Sequence, residues 1–234
     1  MKTITLIPLT TGTGIGHFIS SFAMIEKSKM AILDFDFNSI VYEVLNGERN
    51  FHNDNSNKPT VKYSTTRFNN LLFSNAYEHV AIKKIYETLK TDQIKDSSTL
   101  ANIKYRIVNY PYRHKDYSLY EIIATSSYVV FFGDYTFDTK LALKEILEKC
   151  SYNRFGILLT KTEGVNFSLE NFSQEVGVNQ TKVFGEIPYN LKFQLATIQK
   201  KVLLEYGDNY LSDLIIKVWD NIKSEANIIK ELED

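Results

Sequence analysis

A glycine-rich loop directly after an apolar N-terminal run is the part of this 234-residue chain best suited to phosphate chemistry. Residues 11–18 have the sequence T-G-T-G-I-G-H-F. In the phosphate-loop pattern G-x-x-x-x-G-K-[ST], backbone N–H groups hold phosphate, the lysine neutralises its charge and the hydroxyl binds Mg²⁺. Gly16 fits this pattern, but Thr11 replaces the first glycine, His17 the lysine and Phe18 the hydroxyl. The sequence therefore predicts the shape of a phosphate loop without its charge or its metal ligand.

Other polar residues follow apolar runs that we predict as strands. In a doubly wound parallel sheet, ligands bind at the carboxyl ends of the strands, near the point where the strand order reverses. We therefore expect the glycine loop to share one edge of the sheet with the residues that follow the other runs, namely Asp34, Asp36, Asn109, Gly133, Asp134, Thr160 and Lys161. Their convergence on one edge is stronger evidence for a binding site than any one of them.

Short apolar runs that alternate with helical patterns define the expected fold. Because the runs do not alternate between apolar and polar residues, they indicate parallel strands covered on both faces. We predict an α/β fold with a doubly wound, mostly parallel sheet and helices on both faces, in three layers. The predicted strands are 3–9, 30–35, 105–110, 128–133, 155–160 and 183–188, and the predicted helices are 18–25, 68–89, 139–149 and 208–232. Residues 1–234 form a single domain in this prediction, with a polar, turn-rich excursion at 46–65.

The predicted C-terminal helix is amphipathic. Its polar face mixes lysines such as Lys217 and Lys223 with acids such as Asp213 and Asp220, whereas helices that lie on membrane surfaces are usually basic on that face. We expect it to pack on the sheet or on a protein partner, and we do not expect membrane binding.

Composition favours a globular protein of the cytoplasm. The chain is 44% hydrophobic and 24% charged, and its net charge of −1 predicts no general affinity for polyanions. The single cysteine, Cys150, excludes a disulfide framework and suits a reducing compartment. The apolar N-terminal run is too short for a signal peptide or a membrane span. No metal site is predicted, because the four histidines have no metal-ligand spacing among themselves or with Cys150.

Across its whole length the chain resembles the ParA/MinD family of deviant Walker-A ATPases, whose members position plasmids, chromosomes, division sites or surface machines. The family loop K-G-G-V-G-K-[ST] aligns with residues 12–18, and the family's D-x-D run aligns with Asp34 and Asp36. The late G-E-I-P-Y element is present at 185–189, and the match is weakest over 46–100. The resemblance implies a vestigial nucleotide loop made of Gly12, Thr13, Gly14, Ile15, Gly16, His17 and Phe18.

The resemblance also assigns roles at other strand ends. Asp36 corresponds to the residue linked to hydrolysis and Asp34 to the residue near the metal, and these would be the catalytic residues if the protein were active. Thr160, Lys161 and Pro188 correspond to the base side of the nucleotide site. The segment after the third strand corresponds to a nucleotide-sensing switch, where we expect contacts to partners from Asn109, Arg113, His114 and Lys115. The alternative for its three basic residues is an ordinary solvated loop.

Five departures from the family pattern fall on the positions that do chemistry. Gly12 replaces the signature lysine, His17 the phosphate lysine and Phe18 the Mg²⁺-binding hydroxyl. Asn109 replaces the Walker-B aspartate, and Thr160 the asparagine that recognises adenine. Because phosphoryl transfer depends on positioning and electrostatic stabilisation, losing both lysines removes the main stabilisers of its transition state. The degenerate P-loop therefore predicts a pseudo-ATPase without ATP, ADP or Mg²⁺ as cofactors.

Three functions remain open at this point. The first is a non-hydrolysing adaptor or positioning factor of a partition, conjugation or surface-machine system, which would act through protein partners, with a homodimer or non-specific DNA contacts as further options. The second is a nucleotide-dependent switch that uses substitute residues. The third is a dinucleotide-binding oxidoreductase, since Gly12 and Gly14 followed by an acidic residue match part of that fingerprint, although His17 occupies the place of its third glycine.

Overall fold

The computed structural model describes residues 1–36, 39–46, 49–50, 63–75, 102–112, 117–162 and 168–228. In the described residues the strands are β1 Lys2–Pro8, β2 Met30–Asp34, β3 Arg49–Asn50, β4 Ser64–Thr65, β5 Leu71–Asn75, β6 Tyr105–Asn109, β7 Tyr128–Gly133, β8 Phe155–Thr160 and β9 Val183–Ile187. The α-helices are α1 Ile15–Ile25, α2 Val41–Val44, α3 Tyr117–Thr125, α4 Phe137–Lys149, α5 Leu169–Val176, α6 Leu191–Gln199 and α7 Asn209–Ile228. Two 3₁₀ turns cover Gln180–Lys182 and Leu203–Tyr206.

These strands form one mostly parallel sheet in the order β3-β5-β2-β6-β1-β7-β8-β9. Only β4 runs antiparallel, beside β5. The strand order reverses around β1, which pairs with β6 on one side and β7 on the other. The predicted α/β, doubly wound architecture is confirmed.

Helices pack on both faces of the sheet through two apolar layers, which gives the fold its three layers. On one face, α1 and α7 pack on the sheet through residues such as Phe22 and Trp219. On the other face, α3, α4 and α5 do so through Leu119, Leu143 and Phe172. The central strands are buried on both sides, which explains why their sequences are continuous apolar runs.

One predicted helix is wrong in part. Residues 71–75, inside the helix predicted over 68–89, form strand β5, which pairs with β2 through the register Ala31 to Leu71. A short apolar run suits a buried strand as well as a buried helix, so its pattern alone did not separate the two. Residues 76–89 lie outside the described residues. Strands β3 and β4 fall within the polar excursion predicted at 46–65. Residues 47–48 and 51–62 of that excursion lie outside the described residues.

Helix α7 buries its apolar face inside the protein. The ring of Trp219 stacks on Phe22 of α1 with centroids 4.7 Å apart, and its indole Nε1 donates a hydrogen bond to Glu26 Oε2 at 2.9 Å. The face predicted to pack on the sheet therefore does so over the described part of the helix, while 229–232 lie outside it. Among the helices described, none has the length and apolar character needed to cross a membrane.

We predict that Trp219→Ala destabilises the protein strongly, because it removes an aromatic side chain that is 1% exposed from the contact between α1 and α7. Losses of about 3–5 kcal/mol are typical of buried Trp or Phe truncations. Urea unfolding measures the effect, and Ile216→Ala on the exposed side of the same helix is the matched control. Equal losses in the two variants would contradict this packing.

Candidate functional site

The parallel strands place their carboxyl ends along one edge of the sheet, as the sequence predicts. The glycine loop follows β1 and begins α1, so it lies at the centre of this edge. Around it lie the ends of the other strands, at Asp34, Asn109, Gly133, Thr160 and Ile187.

The glycine loop keeps a conformation that suits glycine. Gly12 and Gly14 have φ angles of 71° and 75°, in the left-handed region that L side chains rarely adopt. Gly14 is the N-cap of α1, and its carbonyl oxygen accepts hydrogen bonds from the backbone N–H groups of His17 and Phe18. A Cβ at Gly14 would stand 3.0 Å from the ring of Phe193, so the loop also packs closely against α6.

Two clefts flank the loop. The first, which we call the Asp36 cleft, has a volume of about 470 Å³ and extends from the loop to Asp36, Ser39 and Tyr112. The second, the Lys161 cleft, has a volume of about 530 Å³ and extends from Gly12 to Lys161, Pro188 and Phe193. Both volumes lie in the range of small-molecule sites.

His17 is buried between the loop and α6. Its Nε2 lies 2.9 Å from the hydroxyl oxygen of Thr197, and that hydroxyl donates its own proton to the carbonyl oxygen of Phe193 at 3.0 Å. Both hydrogen bonds form together when the Thr197 hydroxyl accepts from His17, so we infer the tautomer of the neutral ring that carries its proton on Nε2. Nδ1 is left as a buried acceptor without a partner. Burial lowers the pKa of His17 to about 4, although a hydrogen bond to the backbone of Phe193 opposes that shift, so the ring is neutral at pH 7.

Phe18, which the sequence analysis included in the vestigial loop, lines neither of the two clefts. Its side chain is fully buried, with its ring centroid 5.4 Å from that of Phe132 and 6.1 Å from that of Phe22. The ring faces the core because an aromatic side chain gains more from apolar burial than from a polar cleft.

Asn109, for which the sequence analysis predicts a switch or partner contact, is completely buried in this structure. Its side-chain Nδ2 donates to Asp34 Oδ1 at 2.7 Å, and the backbone N–H of Asp36 donates to the same oxygen at 3.3 Å. Asp34 Oδ2 and Asn109 Oδ1 are both buried acceptors without a partner. Burial raises the pKa of Asp34 to about 7, although hydrogen bonds from Ser39 and Asn109 oppose that rise.

Lys161 is brought to the loop by the backbone after β8. It has a φ of 58°, and its ammonium group donates to the carbonyl oxygen of Thr11 at 3.3 Å. A Cβ at Gly12 would stand only 2.9 Å from this nitrogen. A cation therefore lies beside the position where the family pattern has its signature lysine. Neighbouring Thr160 is buried and donates to the carbonyl oxygen of Gly133.

The remaining predicted site residues divide into two groups. Those that line one or both clefts, besides the residues above, are Thr13, Ile15, Gly16 and Asp36. Arg113, His114 and Lys115 lie outside the described residues. The contacts that α6 makes with the loop through Phe193 and Thr197 were missed, because nothing in the local sequence of α6 shows which element it packs against.

Comparisons with solved structures agree with this topology. A chain of the "MinC:MinD cell division protein complex" from Aquifex aeolicus aligns with a TM-score of 0.72, with 13% identity over 96% of each chain. A ParA family ATPase from Chlorobium tepidum TLS aligns with a TM-score of 0.67 and 13% identity, over 93% of this chain and 98% of that one. This chain has the ParA/MinD fold.

The septum site-determining protein MinD of Pyrococcus horikoshii OT3, solved with Mg-ADP, also aligns with the chain. Its TM-score is 0.68, with 12% identity over 97% of this chain and 98% of that one. No protein-family model matches the sequence, and no curated protein does either. In this chain β6 lies between β1 and β2, whereas the dinucleotide-binding fold pairs its first two strands directly. The oxidoreductase alternative therefore has no support from the fold.

We predict that the free energy of unfolding of Asp34→Asn increases relative to that of the wild type as pH rises. Folding raises the pKa of Asp34 from its ordinary value of 3.8 to about 7, so ionisation favours the unfolded state. The wild type therefore loses this contribution to its stability as pH increases through that window, and the variant does not. Urea unfolding at several pH values from below 4 to above 7 measures the difference, and a pH-independent difference would refute the buried acid.

Proposed function

We propose that this protein is a non-hydrolysing relative of the partition and positioning ATPases, and that it acts as an adaptor through protein contacts. Its fold is that of the ParA and MinD structures above. The observation that carries the proposal is the state of His17, which occupies the phosphate-lysine position. A neutral ring held against Thr197 offers no positive charge to a triphosphate.

The residues at the magnesium position also do not fit that ion. Mg²⁺ requires near-octahedral oxygen ligands and is usually held by carboxylates, hydroxyls and phosphate oxygens. Phe18 places an aromatic ring in the core where the family has a hydroxyl, and Asn109 engages Asp34 through its amide N–H. In the parts of the chain that the structure describes, no group of three or more His, Cys, Asp or Glu side chains could hold a metal.

The proposed partners are proteins of a partition, conjugation or positioning system. The MinD of Aquifex aeolicus was solved in complex with MinC, which shows this fold in contact with a partner protein. A homodimer is compatible with the proposal. Non-specific DNA contacts stay a further option.

We expect no phosphate release above the buffer background when the purified protein is incubated with millimolar Mg-ATP. The physical reason is that neither lysine of the family loop is present to stabilise the charge of the transferred phosphoryl group. A coupled phosphate assay measures the rate, and a ParA-type ATPase assayed in parallel shows that the conditions support turnover. Robust, protein-dependent release that co-purifies with the folded monomer or dimer peak would end the adaptor proposal.

One observation favours a second candidate function, a nucleotide-responsive switch without magnesium chemistry. The ammonium group of Lys161 lies against the loop, next to the α1 N-terminus, which has no side-chain cap and no acidic residue in its first turn. Such a helix terminus favours anions. Lys161 is thus a substitute cation for a bound anion, in place of the missing side chain at Gly12.

We predict that any residual binding of ADP or ATP depends on Lys161. Lys161→Ala should weaken it by roughly tenfold or more, as expected when a charge-assisted contact worth about 1.5–3 kcal/mol is lost. Isothermal titration without Mg²⁺ measures the affinity, and Lys217→Ala, on the exposed face of α7, is the control. Binding that is equally strong in both variants would exclude this switch, and no binding to the wild type would leave only the adaptor.

A further inference from the structure

Helix α6 exposes an apolar stripe on the side that faces away from the glycine loop. The exposed fractions of Leu191, Leu195 and Ile198 are 62%, 43% and 76%, and that of neighbouring Tyr189 is 45%. The three aliphatic residues have the spacing i, i+4 and i+7, which places them on one face of a helix. We call these four residues the α6 stripe.

The opposite side of the same helix holds the glycine loop. Phe193 packs on Gly14, and the hydroxyl of Thr197 accepts the hydrogen bond from His17. The helix therefore has one face on the vestigial loop and one apolar face toward solvent. A contiguous patch of exposed apolar side chains indicates an interaction site more often than isolated apolar surface residues do.

The charge around the α6 stripe selects the kind of partner. Residues 189–202 contain three lysines, Lys192, Lys200 and Lys201, and no aspartate or glutamate. Lys200 is 3.1 Å from Glu43, but its side chain remains 63% exposed. Exposed ion pairs of this kind contribute little to stability, so carboxylates of a partner can replace them at little cost.

The size of the α6 stripe selects a short partner segment. Four partly exposed side chains cover much less than the roughly 800 Å² per partner that a stable protein interface uses. A second copy of this chain could not be held by the stripe alone. An amphipathic helix of a few turns that lays an apolar face along the stripe matches both its length and its width.

A lipid surface fits the α6 stripe less well. The carboxylates of Glu43, Asp208 and Glu205 lie among the lysines, where they pair with Lys200, Lys192 and Arg67 respectively. An anionic bilayer responds to the summed charge of the surface, which these acids reduce. A protein helix can instead place individual carboxylates opposite individual lysines.

We propose that the α6 stripe is the docking site for an acidic amphipathic helix of a partner protein. This inference rests on the proposed adaptor function and supplies the chemistry of its partner. Leucine-type side chains of the partner pack on Leu191, Leu195 and Ile198, and flanking glutamates or aspartates pair with Lys200 and Lys201.

The test uses two fluorescein-labelled synthetic helical peptides of equal length. Both have leucines at the spacing i, i+4 and i+7, and one has flanking glutamates where the other has lysines. The acidic peptide should bind the full chain with micromolar affinity, and Leu195→Glu and Ile198→Glu should each weaken that binding by roughly tenfold or more. Fluorescence anisotropy measures the affinity, and both substituted side chains are exposed, so the variants should fold.

Ile216→Glu provides the matched control, since Ile216 is a 40% exposed aliphatic residue of α7. It should leave peptide binding unchanged, and far-UV circular dichroism should show all three variants folded. The docking site is overturned if the acidic peptide fails to bind, if the lysine peptide binds equally well, or if phosphatidylserine vesicles bind in a manner that Leu195→Glu abolishes. Phosphate release measured on the same preparations separates the two proposals, because ATP turnover would contradict the adaptor function even where the peptide binds.

Discussion

The hydrogen bond from His17 to Thr197 determines the chemistry of this edge of the sheet. It fixes the ring to α6, uses the only N–H of the neutral imidazole and leaves a lone pair on the buried Nδ1. In a phosphate loop the same position presents a mobile cation to the ligand. Because a buried acceptor and a phosphate oxygen have no proton to share, we propose that this loop no longer complements a triphosphate.

The glycine loop has the backbone shape of a phosphate loop but lacks the charged side chains of the family pattern. The left-handed glycines and the strand-to-helix turn follow from local sterics and from the packing of Gly14 against Phe193. The charges depend on individual side chains, which substitution can remove without altering the fold. Buried Asp34 and Asn109 illustrate the outcome, because Asn109 donates a hydrogen bond to Asp34 at the strand end where the resemblance places a metal-binding aspartate.

The sequence predicted the larger features well and the tertiary contacts poorly. Continuous apolar runs such as 128–133 and 155–160 were sufficient to place strands, because burial on both faces leaves a clear pattern. Residues 71–75 were assigned to a helix, since pairing with β2 is a long-range property. The burial of Phe18 and Asn109, and the approach of Lys161 to Thr11, depend on neighbours distant in the chain, so no local pattern could reveal them.

Nitrogen-15 NMR of the His17 side chain, with and without Mg-ATP, tests the neutral loop most directly. The structure predicts a neutral ring protonated at Nε2 at pH 7, which titrates only near pH 4 and whose signals do not move when Mg-ATP is added. An imidazolium at pH 7, or a shift of either ring nitrogen on addition of Mg-ATP, would show that His17 meets phosphate and would contradict the proposal.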